Sequence, residues 1–96
     1  MRAYVIVQVE FLDQRTYDAY RKDVLPTIEA FGGRFLVRGG AMTKLEGEWP
    51  YSRTVVIEFP SRGEAEAWYR SPAYGKLLPL RLKSSRGNLV IVDGAA

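Results

Sequence analysis

Apolar residues occupy nearly every position from Ala3 to Val9, and the run Ala3 to Phe11 (AYVIVQVEF) is rich in β-branched side chains. That pattern predicts a strand. The period then changes. Tyr17, Tyr20, Val24, Ile28 and Phe31 recur at three- and four-residue spacing behind Asp13, which predicts one apolar face of a helix with an aspartate cap. Pro26 falls inside it, where a kink or tightened turn is expected, and Gly32-Gly33 supplies the stop. Arg34 to Arg38 (RFLVR) and Val55 to Phe59 (VVIEF) read as the second and third strands, the latter closed by Pro60. Ser61 with Glu64 fits a capping box ahead of a helix carrying Ala65, Trp68 and Tyr69. Ser71-Pro72 opens a second helical piece whose apolar side is Leu77, Leu78 and Leu82, with Pro79 limiting its regularity. Asn88 to Asp93 (NLVIVD) is the last strand.

The order β-α-β-β-α-β in one domain, residues 1–96, is the ferredoxin-like split βαβ arrangement of the α+β class: a four-stranded antiparallel sheet with its helices on one face. Such a sheet should alternate apolar and polar residues. Here Ala3, Val5, Val7 and Val9 point one way and Tyr4 and Ile6 the other, while Val90 and Val92 oppose Leu89 and Ile91. Both faces are apolar, and the helices cover only one. A second copy, face to face on the open side, is the expected partner.

Composition narrows the chemistry. The 96 residues include no cysteine and no histidine. Disulfides, thiolate nucleophiles, Cys-zinc sites and iron–sulfur clusters are excluded, and so are the usual general base and the usual zinc ligand. No metal site and no cofactor are expected. The net charge of +3 is spread along the chain. The one modest basic run, Arg81, Lys83 and Arg86, reads as a solvated helix end rather than a nucleic-acid patch. Arg53 to Phe59 lacks the glycine and stacking aromatics of an RNA recognition motif, and the glycine pairs make no phosphate loop. The apolar runs are too short to span a bilayer or to form a signal peptide, so no membrane partner and a cytoplasmic location are expected.

The segments GGRFLVRGG (32–40), LEGEW (45–49), VVIEFPS (55–61), AWYRSPAY (67–74) and LVIVDG (89–94) resemble, in order and spacing, a small bacterial family of unknown function within the dimeric α+β barrel superfamily. The resemblance covers nearly the whole chain. It implies a ferredoxin-like protomer and a homodimer whose two sheets form a barrel. The wider superfamily implies a cofactor-independent small-molecule enzyme, monooxygenase- or isomerase-like. A non-catalytic dimer that binds a metabolite or a protein is the alternative.

Without His or Cys, acid–base work falls to Asp, Glu, Tyr, Lys or water. If the second strand continues through Ala41 to Leu45, with a bulge at Gly39-Gly40, position 40 faces position 58. Arg38 then lies beside Glu58, with Tyr4 on the neighbouring strand. The group reads either as a cross-strand ion pair or as an anion-binding arginine next to a carboxylate base. Glu46, Arg53 and Glu10 form a second group, as a salt-bridge network or as a carboxylate pair whose mutual repulsion raises one pKa. Tyr17, Tyr20, Trp68 and Tyr74 lie on the helices. Trp68 reads as core, while tyrosines facing the gap between helices and sheet suit a planar organic ligand, and the enzyme reading takes an anionic or aromatic metabolite as substrate. Arg81 either adds a charge at that gap or caps a helix end. Trp49-Pro50-Tyr51 is expected to act as a dimer clasp.

Overall fold

The computed structural model describes residues 1–95. Four strands, β1 (Ala3–Phe11), β2 (Arg34–Arg38), β3 (Arg53–Phe59) and β4 (Ser85–Asp93), form one antiparallel sheet in the order β2-β3-β1-β4. Helices α1 (Gln14–Glu29), α2 (Arg62–Tyr69) and α3 (Pro72–Ser84) lie on one face. This is the α+β, ferredoxin-like βαββαβ fold that the pattern predicts, with the second helical region divided in two.

The caps explain the divisions. Asp13 accepts from the Thr16 amide, Ser61 from the Glu64 amide and Ser71 from the Tyr74 amide. The Ser71 hydroxyl also donates to the Trp68 carbonyl at 2.7 Å, which ties α2 to α3. The first helix runs through Pro26 to Glu29. It ends where Gly32 takes φ +77° and the Gly33 amide bonds back to the Ile28 carbonyl. Glycine meets that left-handed cap at no steric cost.

The core lies between helices and sheet: Val5, Val7 and Val9 of β1, Val55, Ile57 and Phe59 of β3, and Tyr17, Tyr20, Val24, Ile28, Trp68 and Tyr74 of the helices. The other face of the sheet carries Tyr4, Ile6, Val56, Val90 and Val92. Val90 is 56% exposed and Val92 45%.

Three expectations are corrected. The last strand begins at Ser85, not Asn88. It pairs with β1 down to Phe11↔Ser85, and its polar start, Ser85-Arg86-Gly87, hides it from an apolar pattern. In α3 Leu77 and Leu78 pack partly buried against the core as expected, but Leu82 is exposed, and the fully buried residues are Tyr74, Arg81 and Ser84. Arg81 is therefore no part of a solvated basic run. The second strand stops at Arg38, and residues 39–52 are irregular rather than a continued ladder. Gly39 at φ +72° turns the chain out of the sheet.

Candidate functional site

The bulge in β2 decides which residues meet. Arg34 pairs with Glu58 and Phe35 with Ile57. Leu36 is then the extra residue, and Val37 and Arg38 pair with Val56 and Val55. One inserted residue moves every later side chain to the other face. The expected register, with position 40 facing position 58, would have left Arg38 beside Glu58. The actual register is six residues away, with Arg34 opposite Glu58, and the extra Leu36 then puts Arg38 on the helix side while Glu58 stays on the open side.

Glu58 keeps its predicted tyrosine but changes its arginine. Tyr4 is directly across the ladder and its hydroxyl donates to Glu58 Oε2 at 3.3 Å. The guanidinium at Glu58 Oε1 belongs to Arg34, at 3.1 Å, with Arg2 at 3.8 Å. The second expected group also separates. Glu10 pairs with Arg86 at 3.3 Å, Glu46 is exposed in the irregular segment, and Arg53 bonds to neither. Two carboxylates and an arginine do not come together there, because Glu10 points to the open face of the sheet and Arg53 to the helix face. Trp49 folds back onto the open-face edge, its indole N–H donating to Thr54 Oγ1 at 3.2 Å.

On the helix side the remaining predicted residues converge. Tyr17, Tyr20, Arg38, Arg53, Trp68 and Tyr74 all line one narrow slot between α1, α3 and the sheet, with a volume of about 30 Å³. That is room for roughly two waters or a small functional group. Its wall is continuous aromatic surface: Tyr17 against Tyr20 at 5.3 Å, Tyr20 edge-on to Tyr74 at 6.1 Å, and Tyr74 against Trp68 at 4.2 Å between ring centroids. Trp68 anchors the wall from within the core, its indole N–H donating to Thr27 Oγ1 at 3.1 Å.

The slot opens into a wider cleft of about 550 Å³ bordered by Asp18, Arg21, Lys22, Arg38 and Arg53. Four cations face one acid. None of the four forms an ion pair among the described residues. Arg38 stacks over the Phe35 ring at 4.1 Å and donates to the Arg21 carbonyl at 3.2 Å. Burial, reinforced by the charges of Arg21 and Arg53, pulls its pKa below the ordinary arginine value. Arg53 lies over Phe11 at 5.2 Å, and its Nε is buried with no hydrogen-bond partner. Its guanidinium occupies the space where a side chain at residue 39 would stand, so Gly39 is needed for clearance as well as for the turn.

Sequence reasoning overlooked Arg21 and Lys22. The signal was present, since Arg21 follows Tyr17 by four residues and so shares its helix face. Arg81, left open between two roles, is at the gap: it is 8% exposed, and its Nε donates to the Tyr74 hydroxyl at 3.2 Å. The Tyr74 and Tyr20 hydroxyl oxygens are 3.0 Å apart. Burial raises both tyrosine pKa values above the ordinary phenol value, so both stay protonated near neutrality. No group of three or more His, Cys, Asp or Glu comes together among the described residues, and no helix among them is long and apolar enough to cross a membrane.

Residues 2–95 match a domain of unknown function, DUF1330. The chain belongs to the DUF1330 family. No curated protein matches it in sequence. Among solved structures it is similar to a protein of unknown function from Rhodopseudomonas palustris, with TM-score 0.79 and 18% identity over 99% of this chain and 83% of that one. A dimeric ferredoxin-like protein of unknown function from Jannaschia sp. CCS1 aligns with TM-score 0.66 and 13% identity, covering 98% of this chain and 100% of that one. SnoaB, a cofactor-independent oxygenase from Streptomyces nogalater, aligns with TM-score 0.63 and 6% identity, covering 99% and 94%. At these identities the likeness establishes the DUF1330 chain's fold.

Proposed function

We propose that this DUF1330 protein is a homodimer, paired through its open sheet faces, that binds a small, planar, anionic organic molecule between α1 and the sheet. The observation that carries the ligand is the cleft itself. Arg21, Lys22, Arg38 and Arg53 stand around it against Asp18 alone, and it leads into an aromatic slot. Clustered like charges repel one another, and an anion that bonds to several of them relieves that repulsion. The carboxylate or similar group belongs at Arg38 and Arg53, the flat body in the wider cleft at the mouth of the slot, and only its inner end reaches the slot itself.

For the dimer, the support is the open face, with Ile6, Val56, Val90 and Val92 on one surface, together with a structural neighbour described as dimeric. Binding is the reading the side chains favour. Glu58 lies on the opposite face of the sheet, Glu46 is in an exposed loop, and Tyr20 and Tyr74 hold their protons. The slot therefore offers cations and hydrogen-bond donors but no glutamate to take a proton. A second reading, cofactor-independent oxygenase or isomerase chemistry on the same ligand, is favoured by the likeness to SnoaB.

Titration calorimetry with benzoate as probe tests the site. The parent protein should bind it, and Arg38→Met or Arg53→Met should weaken binding at least tenfold without unfolding the chain. Equal affinity in parent and both variants would sink the assignment.

A further inference from the structure

Resting on that reading, we infer that Arg81, Tyr74 and Tyr20 form a one-way hydrogen-bond relay whose last O–H, on Tyr20, faces the slot and selects ligands with an oxygen acceptor at their inner end.

The direction follows from proton counting. A guanidinium has donors only, so the Tyr74 oxygen accepts from Arg81 Nε at 3.2 Å. Tyr74 has one proton, is fully buried, and has Tyr20 as its only other hydroxyl partner, at 3.0 Å. Were Tyr20 to donate to Tyr74 instead, the unsatisfied proton would be on Tyr74, which is 0% exposed against 7% for Tyr20 and has no other acceptor among the described residues, a costly arrangement. Tyr74 therefore donates to Tyr20. The Tyr20 proton then has no partner among the described residues, on a residue that lines the slot.

Arg81 gives the relay its strength. It is 8% exposed, lines the slot, pairs with no carboxylate among the described residues and donates to the Tyr74 phenol, so its charge polarises the relay. A hydroxyl that accepts from a cation becomes a better donor, and so does the next in line. The inner slot, about 30 Å³, admits a carbonyl-sized group and not a ring. The ligand class is thus an anion with a second, uncharged acceptor oxygen at its far end, such as an oxo- or formyl-substituted aromatic carboxylate. Arg81 and Tyr74 are positioning residues; Tyr20 makes the contact.

Two measurements on the full chain decide it. The first uses no ligand. With the relay as drawn, Tyr20→Phe orphans the buried Tyr74 proton and lowers Tm by about 5 °C or more. With the opposite direction that proton is orphaned already, so an unchanged Tm overturns the relay. The second compares 4-formylbenzoate with 4-vinylbenzoate, matched in shape and differing in the acceptor. The parent should prefer the formyl compound by about 5- to 10-fold. Tyr20→Phe should erase the preference while leaving vinyl binding within twofold. Equal binding of both by the parent overturns the relay alone. Binding of neither overturns the anion site proposed above, and ligand selection with it, whereas the melting result still decides the direction of the relay. Loss of both probes in Tyr20→Phe would make Tyr20 a packing residue and also overturn the inference.

Discussion

The two faces of one sheet treat their charges in opposite ways. On the open face each carboxylate has its cation: Glu58 has Arg34 and Arg2, and Glu10 has Arg86. On the helix face, Arg38 and Arg53 form no ion pair among the described residues, and Asp18 is the one acid bordering their cleft. A neutralised, partly apolar face is suited to another protein surface. A face with surplus positive charge beside an aromatic slot is incomplete until something negative arrives. The difference is set by single-residue alternation in β3, where Arg53, Val55 and Ile57 point one way and Thr54, Val56 and Glu58 the other.

The largest effect should come from breaking the open face. Val90→Glu adds a charge at a position that is 56% exposed in the protomer, so the fold should survive it. Against a second copy the same carboxylate would be buried without a partner, at a cost of several kcal/mol. Light scattering after gel filtration should give two chains for the parent and one for the variant, with unchanged circular dichroism. A parent that runs as a monomer at micromolar concentration would leave the open face without the occupant proposed for it.

How much of this was readable beforehand depended on alternation. The strands β1 and β3, both helical regions and all three side-chain caps follow from local pattern, because each is decided within a few residues. So does the Tyr4–Glu58 contact, since two long strands pair without interruption. Arg38 was misplaced because neither the register nor the bulge leaves a mark in the local pattern: RFLVR reads the same whichever residue faces Glu58 and whether or not Leu36 is extra. The arginine cluster escaped for a related reason. Arg21, Arg38 and Arg53 come from three elements, and only the register brings them to one cleft. Arg81 was ambiguous because arginine in an amphipathic helix is normally solvated, and its burial depends on Tyr74 waiting beneath it.

The helix face can be tested by alkali. Tyr20 and Tyr74 have folded-state pKa values raised above the ordinary phenol value near 10. In the unfolded chain they ionise above pH 10, while in the fold they cannot, so the unfolded state binds fewer protons there. Their contribution is whole below pH 10 and declines as pH rises beyond it, by up to about 1.4 kcal/mol per group per pH unit. Denaturant melts from pH 8 to 12 should show that decline, and Tyr20→Phe should make it shallower. An equal slope in parent and variant would mean that the slot is open enough to hydrate a phenolate, and would blur the contrast between the dry face and the wet one.

The smallest effect should come from Glu58→Gln. A fully buried ion pair that loses one member costs about 3–5 kcal/mol, because the survivor stays charged and unpaired. Here the Glu58 side chain is 12% exposed, but Arg34 and Arg2 are 68% and 69% exposed, so both cations can turn to water when the carboxylate goes. Pairs of that kind are worth under about 1 kcal/mol, a few degrees in Tm for a domain this size. Benzoate affinity should be unchanged, since the substitution is on the other side of the sheet from Arg38. Measuring the variant both alone and combined with Val90→Glu sharpens the comparison. A loss near 3 kcal/mol in the dimer that vanishes in the monomer would mean that the partner copy seals the Glu58 cluster from water. The cluster would then stand near the centre of the interface, and the open face would hold a buried charge network instead of a solvent-paired one.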